Sequence, residues 1–335
     1  MRYLGIDVGG AHVKTSDSNG LGRTTYFPLW ERLEDLPATL RGIVRACGSH
    51  DALAVTMTGE LADCFRSKSV GVSAILDAVM FAAEGRSVVV YLNNGQWAQP
   101  DEARERPWQV AASNWHALAV MASHHVIGKY GMLLDVGSTT TDLVPLSAEG
   151  PMAAGATDSD RMIEGELVYT GVIRSPVCAM VDRLPWRGAR CPVAQEVFAT
   201  AADVYVTLGE LAEDPDCTTT ADGRPFTREC ARDRLARSIC ADRTVFDPRD
   251  AMLAAREVAR RQLARLAAAG RAVLEQMPAS PGTIIISGCG EFLGRRLAER
   301  LNPAAHVISL AEELGPQVGR AATAYAVAWI ADRRN

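Results

Sequence analysis

The chain has 335 residues, of which 48% are apolar and 22% charged, and its formal net charge is −5. That length suits two domains of ordinary globular composition. The mild acidity gives no reason to expect nucleic acid or an anionic membrane as partner, and no apolar run is long enough to span a bilayer.

The first strand pattern starts at Arg2, which leaves no room for a signal peptide, so a cytoplasmic protein is expected. The eight cysteines include no CxxC pair. In a reducing compartment they are expected as free thiols, with Cys178 and Cys289 buried. Cys217, Cys230 and Cys240 match no zinc spacing. Lysine is confined to Lys14, Lys68 and Lys129, which narrows any lysine chemistry to three positions.

In chain order, residues 2–8 read as a strand, and 12–17 and 23–28 continue an antiparallel meander. Leu36, Leu40, Ile43 and Val44 give helical spacing within 33–47. Residues 52–57 form a short buried strand that leaves through Thr58, Gly59 and Glu60. A helix is expected over 69–84, then a buried strand over 88–92 and a turn at Asn93-Asn94-Gly95. Residues 99–108, charged and with two prolines, read as an exposed connection. A helix over 114–125 would bury Trp115, Leu118, Ala119 and Met121. Residues 161–178 lack a clean period and are expected to line the substrate side of a cleft. Residues 214–230 are rich in turn signals and read as a mobile loop. A long amphipathic helix follows over 250–276. A terminal helix over 315–333 carries small residues suited to close packing.

Two stretches share one pattern. Residues 133–143 read LLDVGSTTTDL: an apolar strand, Asp135, one residue, Gly137, then hydroxyl residues and a second strand. Residues 3–14 read YLGIDVGGAHVK, so Asp7 aligns with Asp135, Gly9 with Gly137, Gly10 with Ser138 and Lys14 with Asp142. Small residues with backbone N–H groups in a tight arc suit phosphate oxygens. Donors are expected at Gly9, Gly10, Gly137 and Ser138, with Thr139 and Thr140 beside them. A carboxylate at each strand end suits a divalent cation shared with those oxygens, so Asp7 and Asp135 are the candidate metal ligands. The plain alternative is a pair of β-hairpins with polar turns. Such a repeat suggests two similar half-domains around one cleft.

The paired loops resemble the phosphate segments of the actin, sugar kinase and Hsp70 superfamily. Residues 284–293, IIISGCGEFL, resemble its adenosine segment, with Gly288, Gly290 and Glu291 on the ligand side. The resemblance implies an α/β protein of two actin-like (ribonuclease H-like) lobes with a cleft between them. Residues 1–112 with the helix 315–335 would form one lobe, and 113–314 the other.

TMTGELAD (56–63), NWHALA (114–119), LLDVGSTTTDL, GELVYTGVIRSPVCA (165–179) and ISGCGEFL are similar to a narrower group. These are the hydantoinase/oxoprolinase-related proteins linked to tetrahydromethanopterin-dependent one-carbon metabolism, whose archaeal members make a methanofuran precursor. The resemblance implies a transferase. The phenol of a γ-glutamyl-tyramine or tyrosine unit would displace diphosphate from an aminomethyl-furanmethyl diphosphate. Magnesium would sit on Asp7 and Asp135, and ATP would not be required. Glu60, Asp142 and Glu166 are candidate bases, Lys14 a candidate cation, and Glu166 and Arg174 candidate substrate contacts. Arg174 would take the glutamyl carboxylate. An ATP-dependent kinase or hydantoinase-like hydrolase on the same loops is the alternative. Partners are expected to be small-molecule substrates, with a homodimer left open.

Overall fold

The computed structural model describes residues 1–334. The first sheet holds β1 (Tyr3–Val8), β2 (His12–Ser16), β3 (Gly22–Tyr26), β4 (Ala52–Met57), β5 (Ser87–Tyr91) and β6 (Trp97–Ala98). Its order is β3-β2-β1-β4-β5-β6. β1, β2 and β3 form the antiparallel meander, while β1, β4 and β5 run parallel. Parallel strands are covered on both faces, which is why β1 and β4 are buried along their whole length. On one face lie α1 (Leu36–Ala46) and α2 (Lys68–Ala83), packed through Leu40, Val44, Val72 and Val79. The Ser67 hydroxyl caps α2 by accepting from the Val70 N–H.

The connection expected over 99–108 is instead two short helices, α3 (Pro100–Glu105) and α4 (Pro107–Val110). Each begins on its proline, where the missing N–H costs nothing.

α5 (Asn114–Ser123) leads into the second sheet, whose strands are β7 (Tyr130–Val136), β8 (Thr141–Ser147), β9 (Gly150–Pro151), β10 (Leu167–Val168), β13 (Thr283–Ser287) and β14 (His306–Ser309). Its main path is β10-β8-β7-β13-β14. Taken strand for strand, this is the order and sense of β3-β2-β1-β4-β5. The duplication read from the two Asp-x-Gly segments is therefore a duplication of topology.

Between β9 and β10 lies α6 (Asp158–Glu164). Between β10 and β13 the chain adds α7 (Val177–Met180), a hairpin of β11 (Arg183–Trp186) and β12 (Ala189–Pro192), α8 (Ala201–Leu208), α9 (Arg228–Arg237) and α10 (Pro248–Gln276). The turn-rich stretch before α9 is tied down. Asp222 accepts from Arg234 and Arg237, and Asp214 and Phe226 bridge across it.

After α11 (Glu291–Leu301), α12 (Leu310–Leu314), α13 (Pro316–Arg320) and α14 (Ala322–Asp332) complete the fold. The terminal helix expected as one piece breaks at Ala321, whose backbone is not helical. α14 and α5 fill the space between the sheets, with Trp115, Leu118, Ala326 and Val327 meeting Tyr3, Ala54, Leu133 and Ile285 in one core. The Ala324 carbonyl occupies the place where a side chain on Gly5 would stand, so β1 and α14 approach backbone to backbone.

All eight cysteines are free. Cys289 is exposed and Cys178 half-buried, against the burial expected of both. Among the described residues no helix is long and apolar enough to cross a membrane.

Candidate functional site

The two repeat turns are built alike. The Gly9 N–H donates to His12 O and the Gly137 N–H donates to Thr140 O, each at 2.9 Å. On the strands beneath, Asp7 pairs with Lys14 and Asp135 with Asp142. Neither turn glycine has a positive φ. At Gly9 the reason for glycine is room: a Cβ would stand 2.9 Å from His12 O.

This corrects part of the expected donor set. The amides of Gly9 and Gly137 are committed to closing their own turns. Among the described residues, the N–H groups of Gly10, Ala11, Ser138, Thr139 and Thr140 donate to no acceptor in the chain. These are the amides that a phosphate can meet. The Ser138 and Thr139 hydroxyls touch only each other, at 3.4 Å.

Both turns open on one cleft. Lys14 Nζ stands 3.9 Å from Asp7 Oδ2, and its charge also reaches Asp135 and Cys289. Asp7 is buried. Its Oδ2 accepts from the Thr323 hydroxyl on α14 and, at 3.5 Å, from Asn114 Nδ2 on α5, while its Oδ1 has no partner among the described residues. Both helices that separate the sheets thus begin at Asp7. Asp135 is held at about 6, well above the usual carboxylate range. Crowding by protein is the main cause and Asp142 adds to it, while Lys14 opposes. Ser287 lies opposite Asp135 on β13, and its buried hydroxyl favours the ionised form of that carboxylate.

Glu60 follows β4 and is 1% exposed. Burial lifts its carboxyl to about 7, despite Lys68 Nζ at 3.8 Å; Asp158 and Asp7 push the same way as burial. Lys68 also holds Asp158 at 3.2 Å, which ties α2 of the first lobe to α6 of the second. The backbone of Glu60 occupies the space where a side chain on Gly71 would stand. Asp142 pairs with Arg161 Nη1 at 2.8 Å. Arg161 is fully buried and lies over the Trp115 ring at 3.9 Å.

The remaining sequence candidates divide. The Glu166 carboxylate accepts the N–H groups of Ala154 and Gly155, at 2.6 and 3.1 Å. The Glu291 carboxylate accepts the Ser309 hydroxyl and the Ala311 N–H, joining α11 to α12. A role for either as substrate contact gives way to a structural one. Gly288, at φ +89°, is pressed against Val136 O and Asp135, and Gly290 fits between Val136 and Val172. They hold the exit of β13 against the second turn. Arg174 remains in the cleft, its own N–H bonded to Ser138 O.

Lys68, Asn114, Arg161 and Thr323 were not singled out as site residues. Only the scarcity of lysine hinted at Lys68. Among the described residues no three His, Cys, Asp or Glu side chains converge to hold a metal ion by themselves.

Two lobes of matching strand order, each giving an Asp-bearing turn to one cleft, define an α/β protein of the actin-like class. The profile of the hydantoinase/oxoprolinase family matches residues 51–332, and the chain belongs to that family. It is 30% identical over 328 residues to the (4-{4-[2-(gamma-L-glutamylamino)ethyl]phenoxymethyl}furan-2-yl)methanamine synthase of Methanocaldococcus jannaschii, covering 97% of this chain and 96% of the relative. The protein of the same name from Methanococcus vannielii is 26% identical over 203 residues, which is 60% of this chain and 90% of that one. Among solved structures, nucleotide-free acetone carboxylase aligns over 98% of this chain and 70% of its own with a TM-score of 0.58. At 12% identity that likeness speaks for the fold alone.

Proposed function

We propose that the cleft joins the phenol of a γ-glutamyl-tyramine unit to an aminomethyl-furanmethyl diphosphate, giving the aryl furfuryl ether amine and free diphosphate. This is the synthase step toward a methanofuran-type coenzyme. The product in the name of both relatives supports it. The observation that carries it here is the pair of like turns facing each other over Lys14, with their tip amides uncommitted. All eight cysteines being free is in keeping with a cytoplasmic setting.

The bond between the furfuryl methylene and the diphosphate oxygen breaks, and the phenolic oxygen bonds to that carbon. The amides of Gly10, Ala11, Ser138 and Thr139 would take the diphosphate oxygens as charge gathers there. Lys14 adds a positive charge between the two turns. Asp7 and Asp135 fit magnesium. Asp7 Oδ1 is buried without a partner among the described residues, and this ion is usually held by one or two carboxylates together with substrate phosphates. When bound, the ion would offset charge on the leaving diphosphate.

The phenol, with an ordinary pKa of about 10, must lose its proton. Of the carboxylates named from the sequence, Glu60 is the best tuned to take it, at about 7. The acceptor proton would pass to its unpartnered Oε2. Since Glu60 must be ionised to act, kcat/KM should rise with pH through an apparent value near 7. Lys68 favours the ionised form, so Lys68→Met should move this limb to higher pH and Glu60→Gln should abolish it. An unmoved limb in Lys68→Met would assign the titration to another group.

The reading is tested by incubating the protein with the furfuryl diphosphate and γ-glutamyl-tyramine, or with ATP, with and without magnesium. Pyrophosphate and the ether amine are expected from the first mixture. Release of ADP or phosphate from ATP, with no pyrophosphate from the diphosphate, would instead favour the kinase or hydrolase reading.

A further inference from the structure

Arg174 stands against the second turn. Its backbone N–H, like that of Ile173, donates to Ser138 O, so the residue is fixed to the tip of the second turn. Its guanidinium does not stay on that lobe. It lies over the ring of Trp30 at 5.0 Å, on the other side of the cleft. Trp30 follows Leu29, whose N–H donates to Gly10 O at the tip of the first turn. The Arg174 side chain therefore links the segment bonded to the second turn with the segment bonded to the first. It is exposed, and among the described residues it pairs with no carboxylate. Its charge reaches His12, the residue that closes the first turn. His12 is held below the ordinary imidazole range by burial first, then by Lys14 and Arg174.

We infer that Arg174 binds the diphosphate of the furfuryl substrate from across the cleft, positioned by its stack on Trp30, and does not read the glutamyl carboxylate of the acceptor. The inference rests on the function proposed above and assigns one residue within it. Three features favour phosphate over carboxylate. The guanidinium belongs to a residue whose backbone N–H is bonded to Ser138 O, beside the open Ser138 amide. It stacks on Trp30, whose neighbour Leu29 is bonded to Gly10 O at the first turn. A flat fork of N–H donors can take two oxygens of one phosphate together, which a lysine cannot do. Trp30 acts only through Arg174: the stack keeps a long side chain extended over the site and lowers the cost of ordering it.

The test has two readouts, both on the full chain. The first is calorimetric binding of inorganic pyrophosphate with magnesium. The second is the ratio of kcat/KM for γ-glutamyl-tyramine to that for tyramine. Arg174→Gln should weaken pyrophosphate about ten- to a hundredfold, the loss of a charge-assisted bidentate contact, and leave the acceptor ratio as in the wild type. Arg174→Lys should recover only part of the affinity. Trp30→Ala should raise KM for the diphosphate more than it lowers kcat, Trp30→Phe should restore it, and Trp30→Ala should add little to Arg174→Gln. A lost acceptor preference in Arg174→Gln, or pyrophosphate binding within twofold of wild type, would overturn the assignment. Wild-type protein that binds no pyrophosphate would sink the proposed function itself, and this inference with it.

Discussion

Asp7→Asn and Asp135→Asn should each lower turnover by about two to three orders of magnitude and leave the fold intact. The two carboxylates answer each other in the repeat, and both stand beside Lys14. In Asp7→Asn the side-chain oxygen can still accept from Thr323, so α14 keeps its anchor. What is lost is the negative charge at Oδ1, the atom that has no partner among the described residues. In Asp135→Asn the sign of the stability effect separates function from architecture. Folding raises this carboxyl to about 6, so the native state holds its proton more tightly than the unfolded chain does. Its contribution therefore declines as pH climbs from the ordinary carboxylate range to about 6, and by pH 7 the buried charge is a cost. A neutral amide removes that cost and the repulsion from Asp142. At pH 7 Asp135→Asn should melt no lower than wild type while pyrophosphate release collapses. Wild-type turnover in both variants at saturating magnesium would remove these residues from the chemistry.

Much of the scaffold was legible because its signals are local. An apolar strand running into Asp-x-Gly and a second strand is a pattern of a dozen residues, and it occurs twice. The helix at 114–123 buries Trp115, Leu118, Ala119 and Met121 as read from the sequence. The cleft followed from the repeat, since like half-domains present like edges.

What escaped depends on partners far along the chain. Nothing near Gly9 says that its N–H closes the turn, which leaves Gly10 and Ala11 as the open donors. Thr323 reaches Asp7 across 316 positions, and no spacing rule links them. Glu166 and Asp142 looked alike as carboxylates, but the loop at 154–155 folds back onto one and Arg161 covers the other. The hairpin β11–β12 did carry a readable signal. Arg187 and Gly188 both adopt positive φ at its two-residue turn, and an X-Gly pair between short strands suits that geometry. The prolines at 100 and 107 read as breakers, yet each begins a helix, because the first turn has no use for the missing N–H and suits proline's fixed φ.

Arg161→Met should destabilise the protein by about 3–5 kcal/mol near pH 8, because it strands a charge in the interior. Arg161 is 0% exposed, lies flat on Trp115, and holds both the Asp142 carboxylate and the Glu166 carbonyl. Methionine keeps much of the apolar stem but leaves Asp142 without its counter-charge. Asp142 already titrates above the ordinary range because it is buried, and Arg161 is the main influence pulling it back down. Without Arg161 its carboxyl should take up a proton at higher pH still. The penalty of the variant should therefore shrink as pH falls, since protonation neutralises the stranded group. Denaturation at pH 5 and pH 8 measures this directly, with the larger difference from wild type expected at pH 8. Adding Asp142→Asn to Arg161→Met should recover a large part of the loss, because removing both charges costs far less than removing one. An equal loss at both pH values, with no recovery in the double variant, would locate the energy in the stack on Trp115 rather than in the ion pair. In that case Asp142 would be free of Arg161 in energetic terms and would return, beside Glu60, as a candidate for the proton of the acceptor.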